Sequence, residues 1–165
     1  FRRTEPTTFE VHPYCLKIFR QRWYMLAHTI GKEELRIYSL DRIADIEVLD
    51  TPLLLPENFD AADFFSDYFG IIIGHNIKPS ILELKASAEQ ARYLESLPLH
   101  SSQEVVETTP EYTIFRYRIV PTFDLKQEIL SRGATLEVLS PEWFREEVFS
   151  EIKQMIKNYG ETKVR

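Results

Sequence analysis

The sequence predicts an α+β protein in which a small antiparallel β-barrel precedes a connecting segment, a β-α-β-β-α-β unit and a terminal helix. Two observations predict this class. Short segments rich in β-branched and aromatic residues fill the first 50 positions, whereas strand-like and helix-like periods alternate from residue 80 onward. With 165 residues, the chain is long enough to bury a core of its own.

Residues 1–50 are predicted to form the barrel. Four apolar segments separated by tight polar turns lie within them: 8–19, 23–30, 35–40 and 43–49. Such spacing is typical of antiparallel meanders that close into small barrels. Pro13 lacks a backbone donor, so the first strand is expected to lie at an edge or to be broken there.

Residues 51–79 are predicted to be a connection that contains one short helix. Pro52 and Pro56 interrupt regular structure. Within 59–69, four aromatic side chains are expected to share a helical face: Phe64, Phe65, Tyr68 and Phe69. Between residues 51 and 77 there are four acidic and no basic side chains.

Residues 80–165 are predicted to form the most regular part of the chain. Strands are expected at 80–85, 103–108, 112–120 and 134–139, with helices from the capping box at Ser87 to about Leu97 and from Thr122 to Gly133. Four prolines fall between these elements: Pro79, Pro98, Pro110 and Pro121. The resulting order, β-α-β-β-α-β, is that of the ferredoxin-like split unit.

A last helix is predicted after Ser140, with Pro141 at its first position and Gly160 at its end. Its apolar residues recur at three- and four-residue steps: Phe144, Val148, Ile152, Met155, Ile156 and Tyr159. A helix with one apolar stripe is expected to pack on its own domain or on a partner chain.

The motifs argue against an enzyme, and we expect no catalytic residue, metal site or cofactor. The sequence has no GxSxG elbow, no HExxH or CxxC spacing and no glycine-rich phosphate loop. His100 and Ser102 are near one another, but a catalytic pair needs a third group that orients the base. The single cysteine, Cys15, excludes an internal disulfide and fits the cytoplasm, and no apolar run is long enough to cross a membrane.

The remaining candidate is a cationic and aromatic set near the start of the chain. Residues 1–30 carry five basic and two acidic side chains, although the whole chain has a net charge of -6. On an extended strand, Arg22, Tyr24 and His28 point to one side. Arginines beside tyrosines suit phosphate clamping and base stacking. In the alternative interpretation, Trp23 and Tyr24 are half-buried and the arginines pair with nearby acids: Asp41, Asp45 and Glu47.

Several motifs in order resemble the WYL domain of bacterial transcription regulators. They are His12-Pro13-Tyr14-Cys15-Leu16-Lys17, Arg22-Trp23-Tyr24-Met25 and Leu40-Asp41-Arg42-Ile43. Met25 stands where the family's name tripeptide has Leu. The later part is similar to the WCX-type extension that commonly follows this domain, through Leu99-His100-Ser101-Ser102-Gln103 and the segment 133–141.

The resemblance implies an Sm-like or SH3-like barrel that binds single-stranded nucleic acid or a nucleotide effector. It also implies a helix-turn-helix DNA-binding domain preceding this segment in the full protein, and a homodimer. The ligand residues carried over by position are Tyr14, Arg22, Tyr24, Arg36 and Arg42, with His28 on the same strand face as Arg22 and Tyr24. Trp23 is expected in the barrel core. A second hypothesis stays open, in which the chain is a dimerisation or interaction module without a ligand.

Overall fold

The computed structural model describes residues 6–53, 55–74 and 77–161. The chain divides into two compact units, 1–65 and 66–165. The three-part division at residues 50 and 79 stays a prediction.

The first unit contains an antiparallel sheet in the order β1-β2-β3, formed by β1 (Val11–Phe19), β2 (Arg22–Thr29) and β3 (Leu35–Ser39). A two-residue turn, Arg20-Gln21, joins β1 to β2, and both residues have positive φ, at 47° and 64°. This conformation characterises the type I′ turn, whose twist matches that of the paired strands. The expected irregularity near Pro13 is a β-bulge between Pro13 and Cys15.

The predicted closed barrel is not present among the described residues, which form an open three-stranded sheet in this unit. The fourth predicted strand, 43–49, is irregular and follows a short 3₁₀ helix (Leu40–Arg42). Alternating apolar residues normally mark a strand that is paired with a neighbour and buried on one face. In this segment the apolar side chains are not buried, since Ile46 and Val48 are 78% and 91% exposed.

The predicted helix at 59–69 is shorter than expected. Helix α1 spans Ala61–Phe65, and the Asp60 side chain accepts a hydrogen bond from the Asp63 amide at 2.9 Å. Tyr68 and Phe69 lie beyond its end. Phe69 packs against the core of the second unit, so the four aromatic residues do not share one helical face.

The second unit has the predicted β-α-β-β-α-β order, followed by a helix. Its elements are β4 (Ser80–Ser87), α2 (Ala88–Ser96), β5 (Glu104–Thr108), β6 (Tyr112–Ile119), α3 (Phe123–Ser131), β7 (Leu136–Ser140) and α4 (Glu142–Glu161). The strands form an antiparallel sheet in the order β5-β6-β4-β7. Alternate residues of β4 and β6 enter the core, among them Leu84 and Phe115. Helices α2, α3 and α4 contribute Leu94, Leu125 and Phe144 to the same core.

Local signals explain where the helices of this unit begin and end. The Ser87 hydroxyl accepts a hydrogen bond from the Gln90 amide at 3.3 Å, as the capping box predicts. Helix α3 ends before Gly133, whose φ of 59° suits a helix C-terminus. The prediction that Gly160 ends α4 is wrong, because the helix continues through Gly160 to Glu161. Glycine lowers helix propensity but ends a helix only where the backbone leaves the helical conformation.

The chain that enters the second unit is tied to it by hydrogen bonds. The Asp124 carboxylate accepts from the amides of Ile71 and Ile72 at 2.8 and 2.9 Å. Asp67 accepts from the Val120 amide through its carbonyl at 2.8 Å and from Arg118 through its carboxylate at 2.5 Å. Residues 67–72 are therefore fixed to the start of α3 and the end of β6.

Candidate functional site

The strand register decides which predicted site residues share a face of the first sheet. Tyr24 and His28 alternate along β2 on one face, which we name the Tyr24 face. Their partners across the β1 ladder are Lys17 and His12. Arg22 belongs to the same face at the start of β2, so the three residues predicted to point together do so.

Arg36 lies on the opposite face. Its partner across the β2 ladder is Ala27, which alternates with Leu26 and His28 along the strand. Arg36 is exposed and makes no ion pair with another residue that the structure describes. The structure therefore does not bring Arg36 together with Arg22, Tyr24 and His28.

Arg22 is held by an acidic residue in the 3₁₀ helix that follows β3. Its guanidinium Nη1 donates to Oδ2 of Asp41 at 3.1 Å, and the Ser39 hydroxyl donates to the other carboxylate oxygen. The Ser39 hydrogen bond is the main cause that lowers the pKa of Asp41, and the positive charges of Arg22 and Arg42 add to it. Arg42 is exposed in the 3₁₀ helix beside Asp41. The alternative interpretation, that arginines pair with acids here, is confirmed for Arg22.

Tyr14 is the extra residue at the bulge of β1. The ladder pairs Cys15 with Leu26 and Pro13 with Ala27, which leaves Tyr14 without a directly opposed partner. The bulge also shifts the register, so that His12 pairs with His28. Without it, the pairing seen from Cys15 onward would set His12 opposite Thr29, on the other face. The bulge therefore brings two histidines together.

A segment from the connection packs against the same strand. The Phe59 ring meets the Tyr14 ring edge-on at 4.8 Å between centroids. The Lys17 ammonium lies 3.9 Å from the centroid of Phe65. We name residues 59–65 the aromatic segment; it also contains two carboxylates, Asp60 and Asp63. Sequence reasoning did not predict these contacts, and no spacing signal could reveal them, because they join residues about 45 positions apart.

An open cleft of about 690 Å³ lies beside the two histidines. Its walls come from the strands, the β2–β3 loop and the connection: His12, Tyr14, His28, Ile30, Gly31, Thr51 and Pro52. The rings of His12 and His28 are nearly parallel, with centroids 6.2 Å apart. His28 donates through Nε2 to the Lys32 carbonyl at 2.7 Å, which assigns its proton to Nε2 in the neutral ring. Sequence reasoning missed His12 as a site residue.

Trp23 is not in a closed core. It lies opposite Ile18 on the face that carries Arg36, and half of its surface is exposed.

Cys15 is partly buried, and this burial raises the pKa of its thiol. A raised pKa favours the protonated thiol over the nucleophilic thiolate.

His100 and Ser102 lie in a hydrogen-bonded loop that contacts the end of β6. The Ser102 hydroxyl lies 2.8 Å from Nδ1 of His100, accepts from the Arg118 amide at 3.0 Å and contacts the Arg118 carbonyl at 3.1 Å. The hydroxyl thus bridges the loop after α2 to the end of β6.

Across the described ranges, no three His, Cys, Asp or Glu side chains are grouped to hold a metal ion. No described helix is both long and apolar enough to span a membrane.

Comparisons with known proteins identify both parts of the chain. Curated proteins give no match. Among solved structures, the chain is similar to proteasome accessory factor B/C (PafBC) of Arthrobacter aurescens, with 18% sequence identity and a TM-score of 0.43. The similarity covers 93% of this chain and 23% of that one, so this chain spans about a quarter of its length. Residues 1–48 match the WYL domain model and residues 80–156 match the WCX domain model. The chain therefore contains a WYL domain followed by a WCX domain.

Proposed function

We propose that this chain is the ligand-sensing regulatory part of a bacterial transcription regulator. The WYL and WCX domains support the regulatory role. The proposed ligand is a single-stranded nucleic acid or a nucleotide, which binds through an arginine and tyrosine surface. Its proposed contact residues are Tyr14, Arg22, Tyr24, His28, Arg36 and Arg42.

The Tyr24 face is the observation that supports this ligand class best. It presents a cation at Arg22 and flat rings at Tyr24 and His28 along one strand. From residue 22 to residue 28 a strand rises roughly 20 Å, which is longer than a single nucleotide. An arginine guanidinium forms paired hydrogen bonds with a phosphate, and rings stack on bases regardless of sequence.

The position of Arg36 divides the proposed contacts into two classes. Arg22 and Arg42 flank Asp41 at one end of the Tyr24 face, whereas Arg36 projects from the other face of the edge strand β3. A ligand lying on the Tyr24 face would meet Arg22 directly, and the charge of Arg42 lies close to the same Asp41 carboxylate. It reaches Arg36 only by passing around the edge of the sheet, so Arg36 is the weakest of the proposed contacts.

Three further proposals come from the family rather than from the site. In the full protein, the regulatory part is proposed to control a helix-turn-helix DNA-binding domain. The protein is proposed to act as a homodimer in the cytoplasm. The alternative function, a dimerisation module without a ligand, is supported by one observation: the exposed apolar stripe of α4.

Binding of a fluorescent single-stranded DNA at two or more salt concentrations tests the proposal. Each phosphate contact that is lost should flatten the slope of log affinity against log salt by about 0.7. We expect Arg42→Ala to flatten it by about that amount, and Arg36→Ala to change it less. Cyclic and linear dinucleotides serve as competitors.

The control variant is Arg92→Ala, which removes an exposed arginine on α2 in the second unit. It should bind like the parent chain, because it removes one surface charge outside the proposed site, whereas Arg42→Ala removes an equal charge within it. Absence of salt-dependent binding by the folded parent would contradict the nucleic-acid proposal and favour the interaction module.

A further inference from the structure

The cleft beside the two histidines is lined mainly by rings and aliphatic side chains. Five of its lining residues are of these kinds: His12, Tyr14, His28, Ile30 and Pro52. The others are a threonine and a glycine, and no lining residue is Asp, Glu, Lys or Arg. Walls of this composition favour a flat, largely apolar group over a phosphate.

The two histidine rings form a stacking surface on the cleft. They are directly opposed across the β1–β2 ladder, and their planes differ by only 8°. The hydrogen bond from His28 to the Lys32 carbonyl fixes the orientation of one ring. Both rings are only partly buried, so ring surface is accessible to a ligand. Rings that are already held in place lose little conformational freedom when a flat heteroaromatic group stacks on them.

Backbone hydrogen bonds hold the β2–β3 loop at the cleft. The Ile30 amide donates to the Glu10 carbonyl at 3.1 Å, and the Lys32 amide donates to the Thr29 carbonyl at 3.0 Å. Between them, a Cβ atom at Gly31 would lie in open space. The volume of about 690 Å³ falls within the range of roughly 300–1,000 Å³ that is typical of small-molecule sites. The cleft therefore has room for a nucleobase together with its sugar.

The cleft and the cationic end of the Tyr24 face lie at opposite ends of β2. Arg22 is the first residue of the strand and His28 is the last but one. A phosphate at Arg22 and a group in the cleft, roughly 20 Å apart, belong to different nucleotides of one strand. The two ends also differ in chemistry, since one carries arginines and the other carries rings without a fixed charge.

We propose that the cleft binds one unstacked nucleobase of a single strand whose phosphates contact Arg22. This subsite rests on the nucleic-acid ligand proposed above, and it adds His12 to the contact residues. The base stacks on the rings of His12 and His28, and neither imidazole binds a phosphate. Because every base has a flat face, the cleft accepts bases without regard to sequence.

Fluorescence anisotropy with a short single-stranded DNA at several salt concentrations tests the stacking role. The measurement is made at about pH 8, above the range in which histidines ordinarily take up a proton. We expect His12→Ala/His28→Ala to weaken binding by about 5- to 100-fold without changing the slope of log affinity against log salt, because no phosphate contact is lost. His12→Phe/His28→Phe keeps two flat rings and should bind nearly as well as the parent. A flatter slope in the alanine variant would show phosphate contacts and overturn the proposal.

An abasic strand of the same length and charge gives a complementary measurement. The parent chain should bind it more weakly than the strand with bases, and the alanine variant should reduce this difference. Tyr93→Ala, which removes an exposed ring on α2 in the second unit, is the matched control and should behave like the parent. Thermal unfolding checks that each variant retains the fold. DNA binding that is unaffected by the histidine substitutions overturns the subsite and leaves the nucleic-acid proposal standing.

Adenosine separates the two proposals, because it has a base and no phosphate. In an NMR titration, we expect adenosine to shift the imidazole resonances of His12 and His28 but not those of His100, which lies in the second unit. Such shifts in a chain that fails to bind DNA would support the cleft and contradict the nucleic-acid proposal. Absence of shifts near the solubility limit of adenosine overturns the cleft proposal, whether or not DNA binds.

Discussion

The Asp41 carboxylate lies 3.1 Å from the Arg22 guanidinium and forms an ion pair with it. A phosphate bound on the Tyr24 face would need the same guanidinium. An ion pair between two half-exposed side chains contributes little to folding stability. Its larger effect is on binding, because a phosphate has to displace or share this carboxylate. Arg42 lies beside the same group. Asp41 therefore tunes the cationic end of the proposed site.

Asp41→Asn should tighten binding of single-stranded DNA. The substitution removes one negative charge and the competing acceptor while it keeps the size of the side chain. We expect an affinity gain of about 2- to 10-fold at low salt, decreasing as salt screens the charges. Fluorescence anisotropy measures the change. Glu95→Gln removes an exposed acid on α2 in the second unit and is the control; an equal gain with that variant would mean that only net charge matters.

The pKa of Asp41 should respond to its neighbours in a defined order. Its pKa is held below the ordinary value of 3.8, mainly by the Ser39 hydrogen bond. Any stabilisation from the charged form is complete above that ordinary value and is lost as the pH falls through the lowered pKa of the folded state. NMR titration of Asp41 should show a larger upward shift in Ser39→Ala than in Arg22→Ala. The opposite order would contradict the assigned cause.

Gly70→Ala should destabilise the second unit. Gly70 is buried, and a Cβ atom at this position would overlap the Asp124 carboxylate. Asp124 accepts from the two amides that follow, so it has no freedom to move away. We expect a loss of about 1–3 kcal/mol in the free energy of unfolding, measured by urea denaturation. Gly160→Ala is the matched control: it meets open space within a helix and should stabilise by up to about 1 kcal/mol.

Gln103→Leu should destabilise the same unit by removing a hydrogen-bonding centre. The Gln103 side chain accepts from the Leu99 amide and the Tyr117 hydroxyl, both at 3.0 Å, and donates to the Leu94 carbonyl at 2.7 Å. Tyr117 is fully buried, so its hydroxyl would lose its partner without gaining water. We expect a cost of about 2–4 kcal/mol, since each buried group left unpaired costs about 1–3 kcal/mol.

Tyr117→Phe provides the comparison for Gln103→Leu. It removes one of the three hydrogen bonds and leaves the other two, so its cost should be about 1 kcal/mol. Chemical denaturation of both variants measures the difference. Equal costs would show that the Leu94 and Leu99 contacts contribute nothing to stability.

The second unit could be predicted from sequence because its signals are local. The capping box at Ser87, the prolines between elements and the left-handed Gly133 all act within a few residues of the boundary that they set. The same signals failed at 43–49, where alternation predicts a strand only if another strand pairs with it. They also failed at Gly160, because its helical backbone depends on the helix around it and not on the glycine.

The candidate site was less accessible to sequence reasoning because it depends on register. Arg22, Tyr24 and His28 share a strand, so their common face follows from alternation alone. Arg36 and His12 lie on other strands, and their faces depend on the pairing of those strands with β2. A single extra residue at Tyr14 moves His12 to the Tyr24 face, and no pattern in the sequence measures that shift.

In the proposed site, the aromatic segment would link ligand binding thermodynamically to the conformation of the connection. Phe59 and Phe65 contact Tyr14 and Lys17, which belong to the surface where the ligand is proposed to bind. A ligand that needs these two side chains must displace the segment. Its apparent affinity then equals its intrinsic affinity multiplied by the fraction of time that the segment is displaced. By reciprocity, the bound ligand releases the segment to the same degree. Occupancy of the WYL domain would thereby be reported as freedom of the chain that leads to the WCX domain.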